Sequence, residues 1–277
     1  MDQRICVLMS VYKNDVAANV KAAVESIINQ TLPPQQVIVV VDGPVAADLK
    51  TVLETLAITY PLIELVWLPE NVGLGQALAI GTEHCHCPFI ARMDSDDLAV
   101  PTRFEKQMAY FAAHPETSVV GSNGQEFYDE IEHLAGLKQV PENHAAIVEF
   151  MKRRCPFCHM SVIIKKDALI KAGGYQSFLL VEDWYLWIRL YLAGAIFHNL
   201  QEPLVFIRIN HQTFARRHGR KYYQNIKGIL KYLREQKLLN WWQYTREKLR
   251  RFVGHVMVPR CLKDRLYRKY LRKQAHA

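Results

Sequence analysis

The run Val37-Ile38-Val39-Val40-Val41, closed by Asp42-Gly43-Pro44, constrains this chain more than any other segment. An unbroken β-branched run bounded by turn residues reads as a strand buried in a sheet. The segments around it follow the same plan. Residues 4–9 read as a buried strand that ends in the polar loop Ser10-Val11-Tyr12-Lys13-Asn14. Val16, Val20, Val24, Ile27 and Ile28 then recur at helical spacing until Pro33-Pro34 stops the pattern. A helix over 46–58 and a strand over 63–68 follow. The loop Asn71-Val72-Gly73-Leu74-Gly75 leads into a small-residue helix at 76–83, and a strand over 89–93 ends in Asp94-Ser95-Asp96-Asp97. Pro101 suits the first turn of the next helix, which runs to about residue 114. This alternation is that of βαβ units, so an α/β fold with a mostly parallel, Rossmann-like sheet flanked by helices is expected. Successive strands deliver acidic or amide residues to their C-terminal ends, the edge at which open parallel sheets bind ligands.

From 118 to 150 the pattern weakens and predicts only a strand at 118–121. Another strand is expected at 161–165, a turn at Gly173-Gly174-Tyr175, and a strongly apolar helix at 182–193. Beyond Ile209 the pattern is helical, basic and aromatic. No internal repeat or low-complexity tract is visible.

The 277 residues suffice for one large domain with an appendage. Half of them are hydrophobic and 22% are charged, which excludes disorder over most of the chain. No apolar run approaches the roughly 20 residues of a membrane span, and no signal peptide is legible. A cytoplasmic location with six reduced cysteines is the expectation. Charge divides the chain unevenly. Residues 1–207 hold 15 Lys and Arg against 24 Asp and Glu, a net of −9, whereas residues 208–277 hold 20 against 3, a net of +17. An acidic body of about 1–210 therefore carries a basic amphipathic helical tail, 211–277, whose partner should be anionic: a membrane surface or a nucleic acid.

Three carboxylates within Asp94–Asp97 repel one another unless a cation or abundant water relieves them. Hard oxygen ligands suit Mg²⁺ or Mn²⁺, with a diphosphate completing the octahedron. A solvated turn in which Asp97 caps the following helix accounts for the same residues. Glu182-Asp183 opens an apolar helix containing Trp184, Leu186 and Trp187, and acids in a first turn are favoured by the helix dipole alone.

Other motifs carry less. Cys155-Pro156-Phe157-Cys158-His159 has the C-x-x-C-H form of haem attachment, but that chemistry requires export, and a redox pair would need an N-terminal βα setting. His84-Cys85-His86-Cys87 places adjacent ligands at a helix end, where they cannot easily converge on one tetrahedral zinc. Gly73-Leu74-Gly75 lacks the third glycine of a dinucleotide fingerprint.

Ala91-Arg92-Met93-Asp94-Ser95-Asp96-Asp97, followed by Pro101-x-Arg103-Phe104-Glu105-Lys106-Gln107, resembles the signature of family 2 glycosyltransferases of GT-A fold. The subgroup it is similar to builds bacterial O-antigens and exopolysaccharides, including amylovoran-type systems. The likeness runs in order over about 4–208 through Ser10-Val11-Tyr12, Val41-Asp42-Gly43, Asn71-x-Gly73-Leu74, the Asp triplet, His159, Gly173-Gly174-Tyr175 and Glu182-Asp183. It implies a GT-A domain over 1–210, with a nucleotide-sugar half at about 1–115 and an acceptor half at about 116–210.

The resemblance also implies roles. Ser10, Val11 and Tyr12 would line the nucleotide pocket, Asp42 would accept a hydrogen bond from uracil, and Asn71, Gly73 and Leu74 would sit beside the nucleoside. Asp94 would approach the ribose and share the metal with Asp96, which would coordinate Mn²⁺ on the diphosphate of a UDP-sugar; Ser95 lies between them in the donor site. Arg92 would lie near the phosphates or serve the strand structurally. His159 would face the phosphates or the acceptor, or be structural. Asp183 would be the general base, with Glu182 beside it, giving one displacement with inversion. Cys155 departs from the family, which often has Asn-Pro ahead of this histidine.

Function classes then separate. A hexosyltransferase using UDP-galactose or UDP-glucose and a lipid-diphosphate-linked or saccharide acceptor accounts for the acidic sites. The basic tail then fits the anionic inner face of a membrane. A nucleic-acid-binding protein would explain the tail and Tyr222, Tyr223, Tyr232 and Tyr244 but not those sites, so no nucleic acid is expected. A nucleotidyltransferase would want a glycine-rich basic loop where Ser10–Asn14 has no glycine.

Overall fold

A computed structural model describes residues 2–178, 180–209 and 219–258. Strands β1 (Ile5–Tyr12), β2 (Gln36–Asp42), β3 (Ile63–Trp67) and β4 (Phe89–Arg92) pair in parallel in the order β3-β2-β1-β4. Helices α1 (Ala17–Ile28), α2 (Ala47–Thr59) and α3 (Leu74–His84) connect them. The alternation of side chains sends Leu8, Ile38, Val40 and Ile90 to a core shared with Ala77 and Leu78 of α3. Val7, Met9, Val37, Val39 and Val41 face the opposite core with Val20 and Val24 of α1 and Leu49 and Leu53 of α2. Both faces of the sheet are thus covered, which is why the β-branched run shows no polar alternation. Pairing of Tyr12 with Asp42 and of Val41 with Trp67 aligns the C-terminal ends of these strands on one edge.

The second half adds β5 (Leu98–Ala99), α4 (Arg103–Ala113), β6 (Val119–Phe127), β7 (Leu134–Lys138), α5 (His144–Met151), β8 (Ile163–Lys165), α6 (Lys166–Lys171), α7 (Glu182–Leu192) and β9 (Phe197–Arg208). β8 runs antiparallel to both β4 and β6, and β6 runs parallel to β9, completing a nine-stranded sheet. β6 continues six residues past the predicted 118–121, and β9 lies where no strand was expected. Both contain buried polar residues that hide the pattern. Asn123 donates to the carbonyl of Gln201 at 2.6 Å and accepts from the amide of Val140 at 2.9 Å, so its burial is compensated.

The basic extension begins as part of the body. Helix α8 (Gly219–Glu235) buries Ile226, Ile229, Leu230 and Leu233 in the core that holds Trp184, Leu186 and Trp187 of α7. Tyr232 meets Tyr185 edge-on with ring centroids 5.0 Å apart. Helix α9 (Trp241–Phe252) starts at a capping box in which Asn240 and Gln243 exchange side-chain and backbone hydrogen bonds at 2.9 Å. A π-helical turn, Val253–Met257, follows. Residues 210–218 and 259–277, where part of the predicted tail falls, lie outside the described residues. No helix among the described residues is long and apolar enough to cross a membrane.

Candidate active site

The end of β4 delivers the acidic triplet to the C-terminal edge of the sheet. Carboxylate oxygens of Asp94, Asp96 and Asp97 lie within 4.8 Å of one another. Burial, and then Asp94 and Asp15, push the Asp96 carboxyl up to about 6. Asp97 is driven well above the ordinary range by burial and by its two neighbours. Its Oδ1 accepts from the amide of Arg208 at 2.7 Å, and its buried Oδ2 has no partner. A solvated capping turn does not fit this triplet, because Asp97 is 1% exposed and caps no amide of α4. Crowded, half-buried carboxylates with an orphaned oxygen fit a divalent cation.

A second buried layer holds this strand end in place. The Arg103 guanidinium donates to the carbonyls of Arg92 at 2.9 Å and Val162 at 3.3 Å, and to Gln107 at 3.1 Å. Gln107 in turn donates to the carbonyls of Val120 and Ser161 at 2.7 and 2.8 Å. Burial lowers Arg103 to about 9. Arg92 is buried, forms an ion pair with Asp94, and leaves its Nε without a partner.

The donor-side residues converge on the same edge. Ser10, Val11 and Tyr12 end β1, where the Tyr12 amide donates to Asp15 at 2.9 Å; the same oxygen of Asp15 accepts from the Ser95 hydroxyl, also at 2.9 Å. Asp42 ends β2 and organises the next loop. Its carboxylate accepts from the amides of Val72 at 2.7 Å and Gly73 at 3.0 Å, and from the side chain of Asn71 at 2.8 Å. Gly43 permits this approach: its φ is +86°, and a Cβ there would stand 2.6 Å from the Asn71 nitrogen. Gly73 caps α3 and Leu74 opens it.

Asp183 and Glu182 form the first turn of α7. Asp183 Oδ1 accepts from the amide of Trp184 at 2.7 Å, and Oδ2 accepts from the thiol of Cys155 at 3.1 Å. Burial, with a contribution from Asp183, raises the Glu182 carboxyl. His159 is held below its ordinary range, first by burial and then by Arg92 and Lys138, so its ring is neutral near pH 7. It lies 3.3 Å from the hydroxyl of Tyr175. Tyr175 is itself buried, which raises its hydroxyl above the ordinary range, and the charges of Arg92, Asp183 and Asp94 also act on it.

Asp15, Arg103, Tyr175 and Arg208 are the participants that sequence reading left without a role. Arg208 ends β9 and donates to the carbonyls of Asp96, at 3.1 Å, and Asp129. The signal for Asp15 was its place in the loop after β1, but Arg208 sits on a strand that no periodicity announces. The remaining motifs point elsewhere: His84 engages Glu64 at 2.5 Å, Cys85 meets Cys6 with sulfurs 3.0 Å apart, and neither Cys155 nor Cys158 is in a disulfide.

Comparison with known proteins gives consistent matches. The model of the family described as Glycosyl transferase family 2 matches residues 6–171. The chain is 38% identical over 216 residues to the amylovoran biosynthesis glycosyltransferase AmsE of Erwinia amylovora, covering 78% of this chain and 80% of that one. It is 32% identical over 219 residues to the UDP-Gal:alpha-D-GlcNAc-diphosphoundecaprenol beta-1,3-galactosyltransferase of Escherichia coli, covering 79% of each. The fold is similar to that of residues 1–349 of S. aureus TarS in complex with UDP-GlcNAc, with a TM-score of 0.68, 15% identity, and coverage of 91% of this chain and 73% of that one.

Proposed function

The chain belongs to glycosyl transferase family 2 and has a GT-A fold, and from that premise we propose that it transfers a hexose from UDP-galactose or UDP-glucose to a hydroxyl of an acceptor sugar carried on a lipid diphosphate. The observation that supports this reading is the crowding of Asp94, Asp96 and Asp97 after β4, on the sheet edge where Asp42 orders the Asn71–Gly73 loop. The names of the Escherichia coli and Erwinia relatives support the donor, the acceptor class and the polysaccharide pathway.

Asp96 and Asp94 would hold Mn²⁺ or Mg²⁺, which when bound neutralises charge developing on a diphosphate leaving group. Asp15 and Ser95 fix the loop beneath that diphosphate, and Asp42 shapes the Asn71–Leu74 segment that borders the nucleoside. Asp183 takes the proton of the acceptor hydroxyl as its oxygen attacks the anomeric carbon. One displacement inverts the centre, so an α-linked donor yields a β-linked product. Neutral His159 and Tyr175, paired at 3.3 Å, add a hydrogen-bonding pair without adding charge.

The exposed face of α9 and the turn after it support an acceptor held at a membrane. Trp241, Trp242, Leu249, Phe252, Val253 and Met257 remain exposed, flanked by Arg246, Lys248 and Arg250. An apolar face with tryptophan and bordering cations suits the interface of an anionic bilayer. We therefore extend the proposal to peripheral association with a membrane rather than with nucleic acid. The test of the reaction is a panel of radiolabelled nucleotide sugars offered with Mn²⁺ and a GlcNAc-diphosphate-lipid. Transfer from a UDP-hexose supports it, and no transfer from any UDP-sugar overturns it.

A further inference from the structure

Resting on that acceptor reading, we propose that Arg251 and Arg250 of α9, with Arg153 and Arg154 at the end of α5, form a binding site for the diphosphate of the lipid-linked acceptor. The two segments are far apart in sequence and are clasped together by Arg251, whose Nη2 donates to the carbonyl of Arg153. The guanidinium of Arg251 lies over the ring of Trp184, 5.8 Å from its centroid. Trp184 is the neighbour of Asp183, and its indole N–H is fixed by the carbonyl of Met151 at 2.8 Å. The arginine cluster is therefore built onto the same helix turn as the base.

Two features mark the cluster as a site for an anion. First, the Nε of Arg251 is buried without a partner, and among the described residues Arg251 forms no ion pair. A half-buried guanidinium whose buried Nε–H is unmet is costly unless something accepts from it. Second, cations outnumber the acids beside them. Glu247 takes Arg250 at 2.6 Å and Arg246 at 3.8 Å, and Glu149 takes Lys152 at 2.7 Å and Arg153 at 3.2 Å. Burial, and then the nearness of Arg250 and Arg154, lowers Arg251 to about 10, so it is still charged at neutral pH. Guanidinium planes from two directions match the oxygens of a diphosphate, which accept in pairs.

The order of features along the surface matches the order of groups in such an acceptor. Asp183 meets the sugar, the arginines meet the diphosphate, and Phe252, Val253 and Met257, which lie beyond Arg251 in the chain and are exposed, meet the hydrocarbon. A donor diphosphate belongs to the acidic triplet instead, so the two diphosphates would occupy separate places.

Farnesyl diphosphate, which carries the lipid and the diphosphate but no sugar, is the probe. Its binding is measured by titration calorimetry on the full chain without vesicles, alongside UDP with Mn²⁺. The wild type should bind it more tightly than farnesyl monophosphate or farnesol, and UDP with Mn²⁺ should not displace it. Arg251→Gln should weaken it by about 10- to 100-fold, the range of a charged hydrogen bond. The exposed Arg153→Gln, whose fold is not at stake, should weaken it several-fold, and UDP affinity should be unchanged in both. Unaltered affinity in both variants, equal affinity for farnesol, or displacement by UDP overturns the proposal. In a parallel sedimentation assay, binding to phosphatidylglycerol vesicles that Arg251→Gln weakens, with no binding of farnesyl diphosphate, would assign the arginines to headgroups and overturns it too. If UDP itself fails to bind the wild type, the donor reading fails separately.

Discussion

The thiol of Cys155 donates to Oδ2 of Asp183 across 3.1 Å, on the carboxylate whose other oxygen is held by the Trp184 amide. The two contacts fix the plane of the carboxylate. A thiol is a weak donor, so it orients the group while withdrawing little of its basicity. Burial and the neighbouring carboxylate keep Cys155 protonated, which lets it serve as a donor at all.

Asp183→Asn keeps this shape and removes the proton acceptor. Its kcat should fall by roughly 10²–10⁴-fold with UDP affinity unchanged in calorimetry. Collapse of UDP binding would assign Asp183 to the donor site or to the core. Cys155→Ser should retain most activity, because a serine hydroxyl can donate to Asp183 in place of the thiol. Loss of activity in a folded Cys155→Ser protein would reopen a redox role for this cysteine.

Metal dependence should be visible without any substrate. Asp96 is raised to about 6 from the ordinary 3.8, so between those values the folded chain holds more protons at this position than the unfolded chain does. By linkage, the contribution of Asp96 to stability falls as pH rises through that window. Mn²⁺ needs the deprotonated ligand, so it should raise Tm at pH 7 and much less at pH 5. Asp96→Ala should lose both the Mn²⁺-induced rise and the activity while staying folded. An equal Mn²⁺ effect in the variant, or full wild-type activity with excess EDTA, would sink the assignment.

The strut beneath the metal loop should matter to stability before it matters to chemistry. Arg103→Met leaves the Arg92 carbonyl and the Gln107 oxygen without the guanidinium that donates to them, while the Val162 carbonyl keeps the Arg92 amide at 2.9 Å. A loss of about 2–4 kcal/mol in denaturant unfolding is expected, the cost of stranding buried acceptors. A midpoint equal to wild type would mean that water replaces the guanidinium at no cost.

The four parallel strands and their helices were legible because each has a single period and clean punctuation, as in Val37–Val41 before Asp42-Gly43. Ser10, Asp42, Asn71, the Asp triplet and Asp183 stand at the ends of elements, but their roles are implied by the family resemblance rather than by that punctuation. The second half was not legible, because its strands bury polar residues. Asn123, Asn199 and Ser161 are fully buried and bonded to backbone partners distant in sequence, although Oδ1 of Asn199 has no partner, so composition makes them resemble loop. Arg208 and Arg251 escaped notice differently. Both read as members of a solvated basic tail, and only the packing shows one against Asp97 and the other over Trp184. Net charge reveals a partner's sign but not which cations have been drawn inside.

Packing of α8 makes a prediction that charge alone would not. Leu230 and Leu233 are fully buried beside α7, so replacing either with alanine should cost about 2–5 kcal/mol, as in any well-packed core. Removal of everything after residue 210 should accordingly destabilise the catalytic body. A truncated chain with wild-type Tm would show α8 to be dispensable to the fold.

The membrane reading therefore has to be tested on α9, where the exposed side chains are not part of the core. Trp241 and Trp242 are 53% and 76% exposed at the start of that helix, and Leu249 lies on the same face two turns on. Each Lys or Arg near an anionic surface contributes about 1 kcal/mol, and Arg246, Lys248 and Arg250 border this face. Such a sum recruits the enzyme but falls off with added salt, whereas tryptophan insertion is less sensitive to it. The double change Trp241→Ala with Trp242→Ala should leave Tm and UDP affinity unchanged, because neither ring is buried. It should abolish most sedimentation with phosphatidylglycerol vesicles at physiological salt, and it should raise KM for a long-chain lipid acceptor but not for a short, soluble one. Sedimentation equal to wild type, or wild-type binding that ignores both anionic lipid and salt, would mean that this face meets something other than a bilayer.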